Sequence, residues 1–350
     1  MKRAVVLALA VLILVFLVIL LSITRSYFSQ KTTEEPAPSQ IPSPIPLSVE
    51  SSLPSTASLL TEMPLVDGIG IMGDSNSDEY RANDSRGGDY ADTTMNWMEQ
   101  LAENRFLNFG QWGDWGEPRR TGYEYNWART GATAHSLITS GQHTGLAKQV
   151  AEGKVSLVFL WIGDNDFHLT NGTYEDIYNG ELSDDELQAK VDQAIIDITT
   201  AVDTVLEAGP VKMVVVTISD KGLAPQAAFL FPNPAKRERV SKAIQAVNEG
   251  IKDLAGTRDV TVVDINSFAE LVLKRINRLG LLEVGDQTIN VLLQGDEPHH
   301  LQLSDKSGHA GTVMSGLFAN ALFVEPFNDA YGAGIEPLSD EEILSNAGID

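Results

Sequence analysis

The run Val155–Ile162 is apolar at every position but Ser156, and this limits most tightly what the chain can fold into. It is short and lacks polar alternation, as expected of a strand buried on both faces. Gly68–Met72, Val211–Ile218 and Val260–Ile265 also read as strands. Amphipathic segments separate them. Thr93–Glu103 places Met95, Trp97, Met98 and Leu101 near a helical period. Ser183-Asp184-Asp185-Glu186 is a capping box opening a helix through Leu187, Val191, Ile198 and Val205, with Gly209 and Pro210 as its stop. Ala235–Leu254, Phe268–Leu279 before Gly280, and Val313–Phe323 read as further helices. Strands alternating with helices imply an α/β fold, a parallel sheet with helices on both faces.

The ends of the chain are different. Lys2 and Arg3 precede an unbroken apolar stretch, Ala4–Leu21, closed by Arg25. Its length suits a transmembrane helix, and the positive charge before it places the N-terminus in the cytoplasm and the remainder outside. A cleaved signal peptide is the rival reading and would make the protein secreted. Residues 1–25 are therefore read as a membrane anchor or signal peptide. Residues 26–63, with Pro36, Pro38, Pro42, Pro44, Pro46 and Pro54, read as an extended, disordered linker. Residues 64–330 form the folded domain and 331–350 an acidic tail, where the capping box Ser339-Asp340-Glu341-Glu342 predicts a short surface helix. The absence of cysteine excludes disulfides, thiolate metal sites, a cysteine nucleophile and a lipoprotein anchor. A formal charge of −23 argues against nucleic acid as a partner and against docking on anionic lipid heads.

Chemistry concentrates in loops at the expected strand ends. Gly73-Asp74-Ser75 follows the first strand, Asn126–Thr133 contains Gly131, and Gly163-Asp164-Asn165-Asp166 follows the Val155–Ile162 strand. Asp305 and His309 precede the last long helix. Strand ends of open α/β sheets are where ligands bind. Ser75 is the best-placed nucleophile of these fragments. A serine hydroxyl needs a base, for which His309 is the candidate, and an acid such as Asp305 to fix the imidazole tautomer. The backbone N–H groups of Ser75 and Gly131 and the amide of Asn165 are candidate oxyanion donors.

These blocks resemble the SGNH hydrolase superfamily, the GDSL-type esterases and lipases. Ser75, Gly131, Asn165 and His309 fall in the order that gives the family its name, over roughly Val66 to Phe323. Gly163-Asp164-Asn165-Asp166 matches the family's G-x-N-D block completely, whereas Asn76 stands where leucine is usual. The resemblance implies a flavodoxin-like three-layer α/β/α fold, ester hydrolysis, and no metal or organic cofactor. The last block departs from the family's D-x-x-H, with three residues between Asp305 and His309. Asp296 and His299 have the usual spacing and are the alternative pair. His309 is preferred because Gly311-Thr312-Val313 and a helix follow it, with Gly308 able to absorb the extra residue. The expected protein is an extracytoplasmic serine esterase acting on a small-molecule, lipid or glycan ester. A non-catalytic glycan-binding module and a carbohydrate O-deacetylase are the alternatives.

Other residues have plainer readings. His135 and His143 are expected at the surface or in a cleft wall, and His168 beside the site. Asp78 and Asp166 are expected to tie loops together through backbone N–H groups. Asp164, Asp166 and Glu175 do not have the spacing of a calcium loop. Trp112 and Trp115, among glycines, are expected to pack under a loop or line a cleft. Phe229-Leu230-Phe231-Pro232 is expected to plug the core, with an acyl-chain contact as the other reading.

Overall fold

The computed structural model describes residues 68–82, 86–305 and 307–349. The apolar stretch 4–21 and the linker 26–63 lie outside them. Among the described residues no helix is long and apolar enough to cross a membrane.

The four expected strands form one parallel sheet in the order β1 (Ile69–Gly73), β4 (Leu157–Trp161), β5 (Lys212–Val216) and β6 (Thr261–Val263). The intervening β2 (Trp112–Asp114) and β3 (Thr121–Tyr123) form a separate antiparallel hairpin. On the outer side of β1 the chain at Tyr125–Arg129 runs alongside as an irregular edge. Ile71 N–H donates to Tyr125 O (3.0 Å), and Trp127 and Arg129 N–H donate to Ile71 O and Gly73 O (2.9 and 3.0 Å). The Tyr125–Arg129 segment and β4 thus flank β1 on opposite sides.

Strand residues alternate between two cores because side chains in a strand have a period of two. Ile69, Ile71, Phe159, Trp161, Val214 and Val216 point to one face, where they meet Trp97, Leu101, Phe268, Val313 and Phe323. Met72, Val158, Leu160, Met213 and Val215 point to the other, where Leu146, Ile198, Val202, Ile244 and Val247 cover them. The long helices on this second face are Gln142–Ala151, Asp184–Ala208 and Pro234–Thr257. The result is three layers, α/β/α.

Several elements differ from expectation for local reasons. The first helix is Trp97–Arg105, started by Asn96, whose side chain accepts from Glu99 N–H while Glu99 accepts from Asn96 N–H (2.9 Å each). Asp264 caps a helix at Ile265–Lys274, displacing the expected Phe268–Leu279 segment toward the N-terminus. The residues after it join a second sheet that periodicity did not signal: β7 (Leu281–Val284), β8 (Gln287–Gln294) and β9 (His300–Gln302). Gly285-Asp286, a two-residue hairpin turn of recognisable type, joins β7 to β8. The last long helix is Thr312–Phe318, continued by a π turn at Ala319–Val324 and a helix at Glu325–Tyr331. The Ser339 capping box does start a helix, Asp340–Asn346, but Ile343 and Leu344 are buried in the first core. The segment is therefore an anchored part of the domain rather than a helix lying on its surface.

Phe159 lies at the centre of the first core, its ring 4.7 Å from that of Trp97 and 5.7 Å from that of Phe323. Phe159→Ala is expected to lower the unfolding free energy by about 3–5 kcal/mol through lost transfer energy and a residual cavity. Guanidinium denaturation checks this, with a reduced midpoint at unchanged slope as the expected result.

Candidate active site

Parallel pairing of β1 with β4 sets Gly73 opposite Trp161. The loops 74–78 and 163–166 therefore leave the same sheet edge. A Cβ on Gly73 would lie 2.4 Å from Trp161 O, so only glycine permits this approach. The next residues form a tight turn in which Ser77 and Asp78 N–H donate to Asp74 O (3.1 and 3.0 Å). Ser75 sits on this turn and is only 8% exposed. Among the described residues its hydroxyl makes no hydrogen bond, to His309 or to any other group. Catalytic contacts in ligand-free sites are often long and close only with substrate bound.

Buried carboxylates brace the turn. Asp74 Oδ1 accepts the Asn76 N–H (2.9 Å), and Asn76 Nδ2 donates to Asp164 Oδ2 (3.0 Å). Asp164 Oδ1 accepts from Ser219 N and Oγ (3.2 and 2.9 Å) and pairs with Lys221 Nζ at 3.2 Å. The loops after β1, β4 and β5 are thus joined through one carboxylate. Asp78 Oδ2 accepts from Thr130 N (2.7 Å) and Asp166 Oδ2 from Ala134 N (2.9 Å), so both tie loops as expected. Burial, with the charge of Asp164 nearby, pushes Asp74 up to about 8. Burial also raises Glu79 to about 8 and Asp166 to about 6.

Gly131 has φ +80°, a left-handed conformation that favours glycine, and its Cα faces open space. Among the described residues neither its N–H nor that of Ser75 has a hydrogen-bond partner. Asn165 Nδ2 donates to Ala132 O (2.9 Å), which ties the amide to the Gly131 loop and leaves its second hydrogen uncommitted.

His309 is held by the turn that follows β9. Leu303 N–H donates to His309 O and Gly311 N–H to Leu301 O (2.8 Å each). Asp305 Oδ1 accepts from Ser307 and His309 N–H (3.1 and 3.2 Å), while its Oδ2 lies 2.6 Å from His309 Nδ1. Gly308, at φ +63°, takes the left-handed position through which the turn accommodates its extra residue. Burial alone would raise Asp305, but its bond to His309 and the charges of His309 and Arg86 hold it well below the usual carboxylate range. Asp296 and His299 do not form such a pair among the described residues. His299 is exposed, and Asp296 Oδ1 accepts the Ser304 N–H (3.0 Å).

Two charged residues at the site escaped the sequence reading. Lys221 follows β5 in a loop with no motif. Arg86 donates from Nη1 to Asp305 Oδ2 (3.1 Å) and from Nη2 to Thr130 Oγ1 (3.0 Å). Neither position carries a periodic or spacing signal, since their partners come from distant parts of the chain.

The remaining residues fall as follows. His168 is half-buried, and burial together with Lys221 lowers its pKa; His309 adds to this, which puts His168 within electrostatic reach of the site. His135 is exposed and faces Asp197 at 3.3 Å. His143 is buried rather than at the surface or in a cleft wall, because the Gln142–Ala151 helix packs inward. Trp115 Nε1 donates to Gly122 O (3.0 Å) within the hairpin, and Arg119 lies over the rings of both Trp115 and Trp127. Trp112 is half-exposed. Phe231 packs on Tyr174 and Tyr178, but Phe229 is 84% exposed and plugs nothing. A groove of about 520 Å³ along β6, between Val263 and Pro326, contains none of the candidate site residues.

A parallel sheet between two helical layers, with its polar loops gathered at one edge, defines an α/β enzyme scaffold. The chain matches the family model "GDSL-like Lipase/Acylhydrolase" over residues 69–286. It belongs to that family and is an ester-bond hydrolase. Similar solved structures include an extracellular lipase from Streptomyces rimosus, at 16% identity and TM-score 0.40, covering 75% of this chain and 99% of that one. A family 3 carbohydrate esterase from Clostridium thermocellum is 16% identical at TM-score 0.39, covering 77% and 98%. A lipase/acylhydrolase from Enterococcus faecalis is 15% identical at TM-score 0.38, covering 78% and 98%. No curated protein sequence matches.

Asp74 has an ordinary pKa of 3.8 and a folded value of about 8. Between those values the folded state binds more protons than the unfolded one, so this group's contribution to stability is lost as pH rises. Asp74→Asn removes that loss. Its thermal midpoint, measured relative to wild type, is expected to climb from about pH 4 to about pH 8. Parallel midpoint curves would show that Asp74 is ionised throughout.

Proposed function

We propose that the protein is a serine esterase that cleaves carboxylic esters through an acyl-enzyme on Ser75. The observation that carries this reading is the 2.6 Å contact between His309 Nδ1 and Asp305 Oδ2 in a chain of the GDSL-like family that carries Gly73-Asp74-Ser75 at the end of its first strand. Ionised Asp305 holds a proton on Nδ1, which leaves Nε2 bare to act as base. Ser75 Oγ attacks the ester carbonyl carbon as His309 Nε2 takes its proton. The C–O bond to the alcohol then breaks, and His309 returns the proton to the departing oxygen. Water, deprotonated by the same imidazole, attacks the acyl carbon and releases the acid.

The negative oxygen of each tetrahedral intermediate needs donors already in place. The uncommitted N–H groups of Ser75 and Gly131 suit this role. The second amide hydrogen of Asn165 completes the set, its direction set by the bond to Ala132 O. For location, the Ala4–Leu21 stretch behind Lys2 and Arg3 supports an anchored enzyme whose catalytic domain lies outside the cytoplasm.

Hydrolysis of p-nitrophenyl acetate by the full-length protein tests the reading. Ser75→Ala and His309→Ala are each expected to lower kcat by about 10⁴-fold or more. Asn165→Ala is expected to lower it about 10²–10³-fold. His299→Ala should leave turnover unchanged. A fluorophosphonate probe should label wild type but not Ser75→Ala; undiminished turnover by Ser75→Ala would remove the serine from its role.

A further inference from the structure

We propose that Arg86 is a positioning residue for the esterase reaction, holding Asp305 against His309. This inference rests on the function proposed above. The Arg86 side chain is 9% exposed, and Asp305 is its only carboxylate partner among the described residues. Its guanidinium touches both the turn that carries His309 and the loop that carries Gly131. Nη1 donates to Asp305 Oδ2 at 3.1 Å and lies 2.5 Å from His309 Nδ1. Nη2 donates to Thr130 Oγ1, which itself bonds Asp78 Oδ2 (2.9 Å), next to Gly131 and behind the nucleophile turn. The guanidinium carbon sits 5.0 Å from the Tyr80 ring centre, and the Tyr80 and His309 rings meet edge-on at 6.4 Å.

This geometry sets up a competition. A guanidinium N–H only donates, and His309 Nδ1 either donates or accepts. If Nδ1 carries the proton, it donates to Asp305 Oδ2, and Arg86 Nη1 donates to that same oxygen. Nε2 is then free as base. If Nδ1 is bare and accepts from Arg86, the proton sits on Nε2 and the ring cannot take one from Ser75. Ionised Asp305 favours the first arrangement, and Arg86 holds Asp305 in place. The same cation disfavours a second positive charge on the ring beside it. The groups facing His309 are Asp305 and Arg86 in direct contact and Tyr80 at the ring edge, with His168 within electrostatic reach and Lys221 beyond it. Of these, Arg86 is the one permanent cation in contact with the ring.

The test is the pH profile of kcat/KM for p-nitrophenyl acetate with the full-length protein. Arg86→Gln removes the charge and the two-pronged contact. It is expected to lower kcat about tenfold with KM little changed, and to move the acid limb up by about one pH unit. Arg86→Lys keeps the charge without the fork, so kcat falls while the acid limb stays near wild type. In an Asp305→Asn background the Arg86→Gln loss in kcat should shrink to twofold or less, since the residue acts through the carboxylate. A role confined to holding the fold would lower activity equally in both backgrounds and leave the limb in place, which overturns the proposal. So does an Arg86→Gln enzyme with wild-type kcat and profile. If Arg86→Gln does not fold, Arg86→Lys decides: wild-type kcat overturns the proposal, and reduced kcat with an unmoved limb supports it. Loss of labelling in Ser75→Ala keeps the esterase reading intact whichever way Arg86 falls.

Discussion

Burial of the central sheet on both faces is the constraint on which the rest of this structure depends. The apolar residues of the strands divide between two cores, so the polar side chains of the candidate site are kept out of the sheet's interior. They collect where the strands end. Because β1, β4, β5 and β6 all run in one direction, their C-terminal ends share one edge, and the loops carrying Ser75, Asn165 and Lys221 leave from it. The scaffold creates a place for chemistry before any residue in that place is chosen.

Polar groups drawn into that edge must be satisfied or neutralised. Asp164 meets the first condition, accepting bonds from Ser219 and Asn76 and pairing with Lys221. Hydrogen bonds to a charged group contribute about 1.5–3 kcal/mol each, enough to hold loops that have few apolar contacts. Asp74 meets the second. Its Oδ2 has no partner among the described residues, and burial raises it to about 8, so it is protonated near neutral pH. Neutral Asp74 beside Asp164 avoids placing two like charges beneath the Ser75 turn.

The imidazole side of the site depends on a part of the fold that is neither sheet layer nor long helix. The β7–β8–β9 sheet projects the turn containing Asp305 and His309, and the Leu303–His309 backbone bond fixes its base. Gln226 Nε2 donates to Gln302 Oε1 (3.1 Å), joining this sheet to the helix after β5. The strand that leads into the turn is thus tied to both the small sheet and the helix after β5.

Much of this was legible in the residues. The unbroken apolar run through Val158 and Phe159, the Ser183 cap and the Gly209 stop are local signals, and each marked its element within a few residues. The order of the Gly73-Asp74-Ser75, Gly131 and Gly163–Asp166 blocks likewise marked the family, whose match spans them. The second sheet was harder, since its short strands carry exposed Leu292 and Leu293 and blur the alternation that identifies a strand. The preference for His309 over His299 could be argued from the helix that follows, but the contact with Asp305 could not be measured until the turn was folded. Arg86 and Asp305 stand 219 positions apart and owe their meeting to nothing in either neighbourhood. Periodicity, capping and turn chemistry act over a few residues and are written in the order of the chain. Electrostatic pairing acts through space, so which charges meet was decided only when the packed layers brought those loops to one edge.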